Sequence, residues 1–177
     1  FILAEGPDGL YVFDQHVVHE RVLYDAFRRA LASGRVETQG LLDPVPVELT
    51  AQEAPILAAP KARLNLEAAG FRFEPFGPDA VLLRGVPALF AGAVDPAGLF
   101  KEAVMALLGT EGPWEHRVAA RLACRRAVKA GDPLTERDMQ ELIDRLETAE
   151  LVSTCPHGRH IFRRLPSQYL ASAFGRA

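Results

Sequence analysis

The stretch DQHVVHERVLYD, Asp14 to Asp25, marks the point at which a strand gives way to a helix, and it decides the fold. Before it, FILAEGPDGLYVF has the pattern of two short apolar strands around a turn at Glu5–Gly9, which predicts a hairpin. After it, Gly34 predicts the end of a helix whose apolar residues recur at helical spacing, namely Val18, Val22, Leu23, Phe27, Ala30 and Leu31. Such a junction exposes side chains at the end of a sheet, which makes Asp14 a candidate functional residue.

The rest of the chain mixes helices and short strands without strict strand–helix–strand alternation. A strand-like segment at 40–49 contains prolines typical of an edge, and Thr50–Glu53 has the form of a capping box for a helical region that Pro60 should kink or split. The remaining predictions are paired strands at 71–77 and 80–89, helices at 95–108, 114–130 and from 135 onwards, and a short strand at 161–165. This order predicts an α+β fold with a mixed or antiparallel sheet.

Composition narrows the class of protein. The 177 residues are 49% hydrophobic and 24% charged, which predicts a soluble globule of one domain or two small subdomains. No apolar run approaches the ~20 residues that span a bilayer, and the first residues do not resemble a signal peptide. The net charge of −3 gives no general attraction to nucleic acid, so DNA contacts have to be local or come from another domain. Because the chain begins at Phe1 in what looks like a strand, we expect a fragment of a longer protein.

Cysteine and histidine are unevenly distributed. The two cysteines, Cys124 and Cys155, are too few for a disulfide framework, so metal binding or catalysis is the better interpretation. Four of the five histidines fall in DQHVVHE and CPHGRH, and His116 alone lies outside them; the four are His16, His19, His157 and His160. The clustering suggests one site assembled from distant segments.

The chemistry of these side chains suits metal ions beside a phosphate. His16 and Glu20 share one helix face, so both can reach one metal ion, although such a pair is more commonly part of a solvated helix face. For Cys124 the alternative to metal binding is a small buried core residue. Cysteine and histidine prefer zinc, whereas carboxylates also accept Mn²⁺ or Mg²⁺. The segments together offer enough ligands for two metals bridged by Glu20, with Arg125 and Arg159 placed to neutralise phosphate charge.

With these segments side by side, the sequence resembles the C-terminal domain of MutL-family DNA mismatch-repair proteins, in the branch with latent endonuclease activity. DQHVVHERVLYD resembles the family's DQHA-x-x-E-x-x-x-x-E motif, with Val17 and Asp25 where alanine and glutamate are usual. Two further motifs match at ACR (123–125) and CPHGR (155–159), after which His160 replaces a common proline. An F-x-R type motif corresponds to the residues at 162–164.

The resemblance implies metal-dependent hydrolysis that nicks one strand of duplex DNA. It implies Asp14, Glu20 and Arg159 as catalytic residues, with Arg125 and Arg159 at the phosphate. The implied metal ligands are His16, Glu20, Cys124, Cys155 and His157. Mn²⁺ or Mg²⁺ would serve catalysis, and Zn²⁺ would serve a structural or regulatory part.

A further segment, QGLLDP at 39–44, is similar to the element through which bacterial members of the family contact the replication sliding clamp. An extended peptide of this kind would place Leu42 in an apolar pocket, with Gln39 as a polar anchor and Pro44 completing the motif. An ordinary edge strand is the alternative.

The resemblance also implies the organisation and the partners. Residues 1–48 plus 132–177 would form a sheet-bearing dimerisation subdomain, and 49–131 an inserted external α/β subdomain. The implied partners are a second copy of the chain, duplex DNA, the clamp, a mismatch-recognition protein, and an ATPase domain N-terminal to this chain, all in the bacterial cytoplasm and away from membranes. Two other functions are weighed: a non-catalytic dimerisation and clamp-docking module with structural zinc, and an unrelated zinc hydrolase, which the lack of an H-E-x-x-H motif disfavours.

Overall fold

The computed structural model describes residues 1–92, 95–129, 131–147, 154 and 158–176. Within them the helices are α1 (Gln15–Ala32), α2 (Ala54–Ala58), α3 (Pro60–Ala68), α4 (Pro96–Leu108), α5 (Trp114–Arg126), α6 (Glu136–Glu147) and α7 (Ser167–Ala173). The strands are β1 (Ile2–Gly6), β2 (Gly9–Phe13), β3 (Thr38–Glu48), β4 (Arg72–Pro75), β5 (Ala80–Pro87) and β6 (Phe162–Pro166). The α+β class predicted from the sequence is confirmed.

Both sheets have three strands and antiparallel pairing, in the orders β1-β2-β6 and β3-β5-β4. The predicted hairpin at the start of the chain is formed by β1 and β2, which turn where Gly6 pairs with Gly9. Gly9 has a φ of 137°, and a Cβ there would clash with the carbonyl oxygen of Leu165. Only glycine therefore fits where the hairpin meets β6.

The chain divides into two compact units, Phe1–Val22 with Ala127–Ala177, and Leu23–Arg126. The subdomain boundaries predicted from the sequence are 48/49 and 131/132. The first boundary differs because β3 is hydrogen-bonded to β5 along most of its length, and this pairing ties 38–48 to the second unit. The continuous helix α1 supplies residues to both units.

Each unit has its own apolar core. In the first unit Ile2, Ile161 and the start of α1 pack with the apolar face of α6, formed by Met139, Leu142, Ile143 and Leu146. In the second unit the core is larger and includes edge-to-face ring pairs, Phe27 on Phe90 at 5.0 Å and Phe71 on Phe100 at 5.4 Å between centroids. Among the described residues, no helix combines the length and apolarity needed to cross a bilayer.

Local sequence signals set most element boundaries. Pro60 separates α2 from α3, as predicted, because proline cannot supply the N–H that a continuous helix needs. The predicted capping box forms, with Thr50 N–H donating to Glu53 Oε2 at 2.7 Å and Glu53 N–H to Thr50 Oγ1 at 3.3 Å. Asp95 caps α4 by accepting from Gly98 N–H at 2.8 Å. α5 ends at Arg126, four residues before the predicted Ala130.

Candidate metal centre

Asp14 joins β2 to α1 and caps the helix. Its Oδ1 accepts from the backbone N–H groups of His16 at 3.0 Å and Val17 at 3.2 Å, which satisfies donors that the first helical turn leaves open. Its own N–H donates to Ile161 O at 3.0 Å. The second carboxylate oxygen, Oδ2, makes no hydrogen bond to the residues that the structure describes.

The imidazole of His16 is oriented by a backbone carbonyl. Nδ1 lies 2.8 Å from Val128 O, an acceptor, so Nδ1 carries the proton in the neutral ring. The lone pair is then on Nε2, which lies 3.5 Å from Glu20 Oε2, one helical turn further along α1. A histidine that donates one ring N–H to a carbonyl and presents its other nitrogen beside a carboxylate has the arrangement of a metal ligand.

The peptide of Val128 holds a second histidine as well. Val128 N–H donates to His19 Nδ1 at 3.2 Å, while the carbonyl accepts from His16. Gln15, which is buried, anchors the following residues by donating to Lys129 O at 3.0 Å and Asp132 O at 2.9 Å. The start of α1 and the segment after α5 are thus fastened by hydrogen bonds to backbone groups.

Glu20 is a fully buried carboxylate, with none of its surface exposed. Its Oε2 lies 2.6 Å from Nη2 of Arg159, whose side chain is about half exposed and whose Nη2 also lies 3.4 Å from His16 Nε2. Burial of a carboxylate is unfavourable unless cations or hydrogen bonds compensate for the lost water. The structure therefore brings together three of the predicted site residues, His16, Glu20 and Arg159.

The third motif is described only in part, since Cys155 and His157 lie outside the described residues. On either side of them Thr154 and His160 form an isolated antiparallel bridge, and Arg21 on α1 donates to Thr154 O at 3.3 Å. Gly158 has a φ of 79°, a conformation that favours glycine. Thr154, just before this motif, and Arg159 within it are therefore held by the helix that carries His16 and Glu20.

Cys124 and Arg125, from the second motif, belong to the second unit. Cys124 is a partly buried free thiol on α5. The Arg125 guanidinium lies 2.6 Å from Asp95 and 3.9 Å from Glu102, so two carboxylates are already paired with the side chain predicted to contact phosphate. A Cβ on Gly98 would clash with Arg125 Nη2, which shows how closely this side chain covers the start of α4.

The segment at 39–44 interrupts the pairing of β3 with β5. The register passes from Gly40 opposite Gly85 to Val45 opposite Leu83, so the residues between them bulge out of the ladder. Leu42, in this bulge, is 98% exposed, and Gln39 and Pro44 are exposed too. A leucine so exposed is not serving the core of this chain.

Sequence reasoning missed the groups that orient the site. Val128 acts through its peptide, which no side-chain pattern reveals. Gln15 was passed over although it stands inside the first motif; a buried polar residue beside a predicted helix start is the signal that could have found it.

The matching family model is described as the MutL C terminal dimerisation domain, and it covers residues 1–134. The chain therefore belongs to the MutL C-terminal domain family.

Curated relatives agree with this assignment. Proteins named DNA mismatch repair protein MutL are similar to this chain in Thermus thermophilus (42% identical over 99% of this chain and 31% of the relative) and Leptospira biflexa (38% over 99% and 29%). The protein of the same name in Acidiphilium cryptum is 41% identical over 100% of this chain and 31% of the relative. The chain thus spans about three tenths of the length of these relatives.

Proposed function

We propose that this chain is the metal-dependent endonuclease domain of a MutL mismatch-repair protein and nicks one strand of duplex DNA. The observation that supports this best is the His16–Glu20 pair, in which a ring nitrogen with a fixed lone pair stands 3.5 Å from a fully buried carboxylate. Arg159 compensates the buried charge of Glu20 in the chain alone, and a divalent cation would be held by this carboxylate together with the free lone pair of the His16 ring.

The chemistry of the donor set fits divalent cations. His16 and Glu20 would hold them together with Cys124, Cys155 and His157, the last two lying outside the described residues. Thiolates and imidazoles suit Zn²⁺ in a structural or regulatory part, and Glu20 with water would suit Mn²⁺ or Mg²⁺ for catalysis. When bound, such ions acidify water and stabilise charge on the oxygens of a phosphodiester.

The chain's own residues would orient the reactants. Asp14 holds the start of α1 through Oδ1, which leaves Oδ2 to accept a hydrogen bond from the attacking water. Arg159, half exposed beside Glu20, would neutralise charge on the phosphate as it develops. We assign this contact to Arg159 rather than Arg125, because Arg159 lies beside Glu20 and His16, whereas Arg125 is paired with Asp95.

Plasmid relaxation with Mn²⁺ tests the proposal. The wild-type chain should convert supercoiled plasmid to the open circle, and Asp14→Asn and Glu20→Lys should lose this activity. Glu136→Gln, which alters an exposed glutamate on α6, is the control and should nick like the wild type. Equal nicking by all four proteins would reveal a contaminating nuclease and remove the enzymatic proposal.

A metal assay that does not depend on activity complements this test. Cys124→Ser, Cys155→Ser and His157→Ala should each lower the bound zinc per chain, measured by emission spectrometry on folded protein. His160→Ala, three residues from His157, is the matched control and should retain it. Unchanged zinc in the ligand variants would contradict the proposed ligand set.

The second candidate function is a module that dimerises and docks on the sliding clamp, with zinc as a structural element only. The exposure of Leu42 favours docking, since an apolar side chain on a bulge can enter a partner's pocket. Leu42→Ala should abolish clamp binding measured by surface plasmon resonance, while Leu64→Ala, another exposed leucine, should not change it. This candidate replaces the first if the zinc assay succeeds and no nicking is seen.

A homodimer is the assembly that we propose for either function. β1 is an edge strand of its sheet, and the first unit exposes the apolar side chains of Leu3, Tyr169 and Phe174. Leu3→Glu should shift the dimer toward monomer in analytical ultracentrifugation, and Leu42→Glu should not. The other proposed partners are a mismatch-recognition protein and an ATPase domain of the same full-length protein, acting in the bacterial cytoplasm.

A further inference from the structure

His116, the histidine outside all three motifs, belongs to a polar cluster in the second unit. Its Nδ1 lies 2.6 Å from the hydroxyl of Tyr24, and its Nε2 contacts Nη1 of Arg28. Nη1 of Arg28 also lies 3.3 Å from the Tyr24 hydroxyl. Three side chains from α1 and α5 thus bond to one another in a closed triangle.

The donors in this triangle can be assigned. Nη1 of arginine can only donate, so Nε2 of His116 accepts, and the proton of the neutral ring is on Nδ1. Nδ1–H then donates to the Tyr24 oxygen, which accepts from Arg28 as well. Local desolvation and the charge of Arg28 lower the pKa of His116, with Glu115 opposing them, and this direction agrees with a neutral ring.

Two kinds of donor stay available after these bonds are made. The Tyr24 oxygen is already an acceptor twice, and within the described residues its own O–H has no acceptor. Arg28 uses Nη1 for both contacts, so Nε and Nη2 keep their N–H groups. No carboxylate of the described residues lies within ion-pair distance of Arg28, unlike Arg125 with its Asp95 partner.

A cavity of about 290 Å³ is bordered by Arg28, Leu31, Ala32, Pro113, Glu115 and His116. The Tyr24 hydroxyl contacts two of these lining residues, Arg28 and His116. The volume is several times the ~30 Å³ that one water occupies in the liquid. Among the residues that line this cavity, Arg28 carries the positive charge and Glu115 is the only carboxylate. Leu31, Ala32 and Pro113 are apolar. A guanidinium without an acidic partner, next to a free hydroxyl donor, is suited to an oxyanion.

We propose that Tyr24, Arg28 and His116 form a receptor for one phosphate group. Arg28 and the Tyr24 hydroxyl bind the phosphate oxygens, and His116 fixes the positions of both donors. The phosphate is either part of a DNA backbone or a free phosphate, and the choice of phosphate over carboxylate rests on the proposed function, which brings DNA to this chain.

The first arm of the test uses inorganic phosphate alone. In the folded chain at pH 7.5, a phosphate titration should shift the His116 ring signals saturably in NMR. Arg28→Gln should lose this response, and Tyr24→Phe should weaken binding about ten-fold because it removes one hydrogen bond to a charged ligand. Arg29→Gln is the matched control, since it removes the same charge from the neighbouring, exposed residue and should leave the response intact.

The second arm uses duplex DNA across a range of salt concentrations. If the phosphate is part of DNA, Arg28→Gln should reduce the slope of log K against log salt by about 0.9, the value for one lost contact, and Arg29→Gln should not. A phosphate response without a DNA effect identifies a free phosphate as the ligand. Equal behaviour of Arg28→Gln and Arg29→Gln in both arms overturns the receptor.

Nicking by the wild-type chain, measured in parallel, separates this proposal from the proposed function. If the wild-type chain nicks DNA and Arg28→Gln and Arg29→Gln bind phosphate and DNA equally, the phosphate receptor is refuted and the endonuclease proposal is retained. Phosphate binding that depends on Arg28, without nicking, supports the receptor and counts against the endonuclease. Melting temperatures of the variants, read by circular dichroism, confirm that each is folded.

Discussion

His16 and His116 are both held through Nδ1, but of their second nitrogens only that of His16 is paired with a carboxylate. Nδ1 of His16 lies beside a carbonyl, and its Nε2 lies 3.5 Å from the buried carboxylate of Glu20 and 3.4 Å from Nη2 of Arg159. Nδ1 of His116 meets a hydroxyl, and its Nε2 lone pair is used by Arg28. The His16 ring can therefore bind a cation, whereas the neutral His116 ring positions Tyr24 and Arg28 in a cluster suited to an anion. Sequence position alone does not distinguish such histidines; the partner of each ring nitrogen does.

The largest effect expected from this comparison is on metal affinity. His16→Ala removes a proposed ligand and should weaken Mn²⁺ or Zn²⁺ binding by more than the ~10–100-fold that loss of an outer-shell partner costs. His116→Ala should leave affinity unchanged, since its lone pair is already used. Calorimetric titration of both variants checks this, and equal losses would remove the distinction between the two rings.

The next effect concerns the buried charge of Glu20. Arg159→Ala takes away a cation 2.6 Å from the carboxylate and should destabilise the metal-free chain by about 2–3 kcal/mol, somewhat less than for a fully buried pair because Arg159 is half exposed. Adding Glu20→Gln to that variant should recover most of the loss. Urea unfolding of the two single variants and the double variant measures the coupling, and simple additivity would contradict it.

A smaller effect separates the two roles of Asp14. Asparagine caps helices about as well as aspartate, so Asp14→Asn should retain stability, while Asp14→Ala should lose about 1 kcal/mol. Both should lose nicking if Oδ2 is catalytic. Thermal unfolding beside the plasmid assay checks this, and an active Asp14→Asn protein would confine Asp14 to the cap.

The smallest effect is the pH dependence due to His116. Desolvation of the ring, helped by Arg28, lowers its pKa from the ordinary 6.5, so the folded chain binds fewer protons than the unfolded chain near that pH. The stabilisation is complete above the unfolded pKa and is lost as the pH falls through the folded one. His116→Gln should therefore lose less stability than the wild type between pH 7.5 and 5.5. An identical pH profile for both proteins would contradict this assignment.

Much of the fold could be predicted because it depends on local signals. The hairpin, the break at Pro60, the capping box at Thr50–Glu53 and the apolar face of α6 each follow from residues a few positions apart. The β3–β5 pairing joins residues far apart in the chain, and for that reason the sequence did not reveal where the two units divide.

The candidate site could be predicted in its side chains but not in its contacts. The motifs identified His16, Glu20 and Arg159, which the structure brings together. α5 ends early in part because the N–H of Val128 donates to His19 and its carbonyl accepts from His16, which withdraws both groups from a helix. The ion pair of Arg125 with Asp95 and the hydrogen bond of His116 with Tyr24 also join residues far apart in the sequence, so no local sequence pattern predicts them.

The two histidines near the start of α1 owe their orientation to the main chain at position 128. Any amino acid that keeps this backbone path would supply the same carbonyl, and any except proline the same N–H. Alanine scanning would therefore show no effect at position 128, because alanine has the same backbone N–H and carbonyl. A comparison of the residue types at this position would not reveal its role either. Replacing the amide by an ester through chemical synthesis would delete a single hydrogen-bond donor and leave every side chain in place.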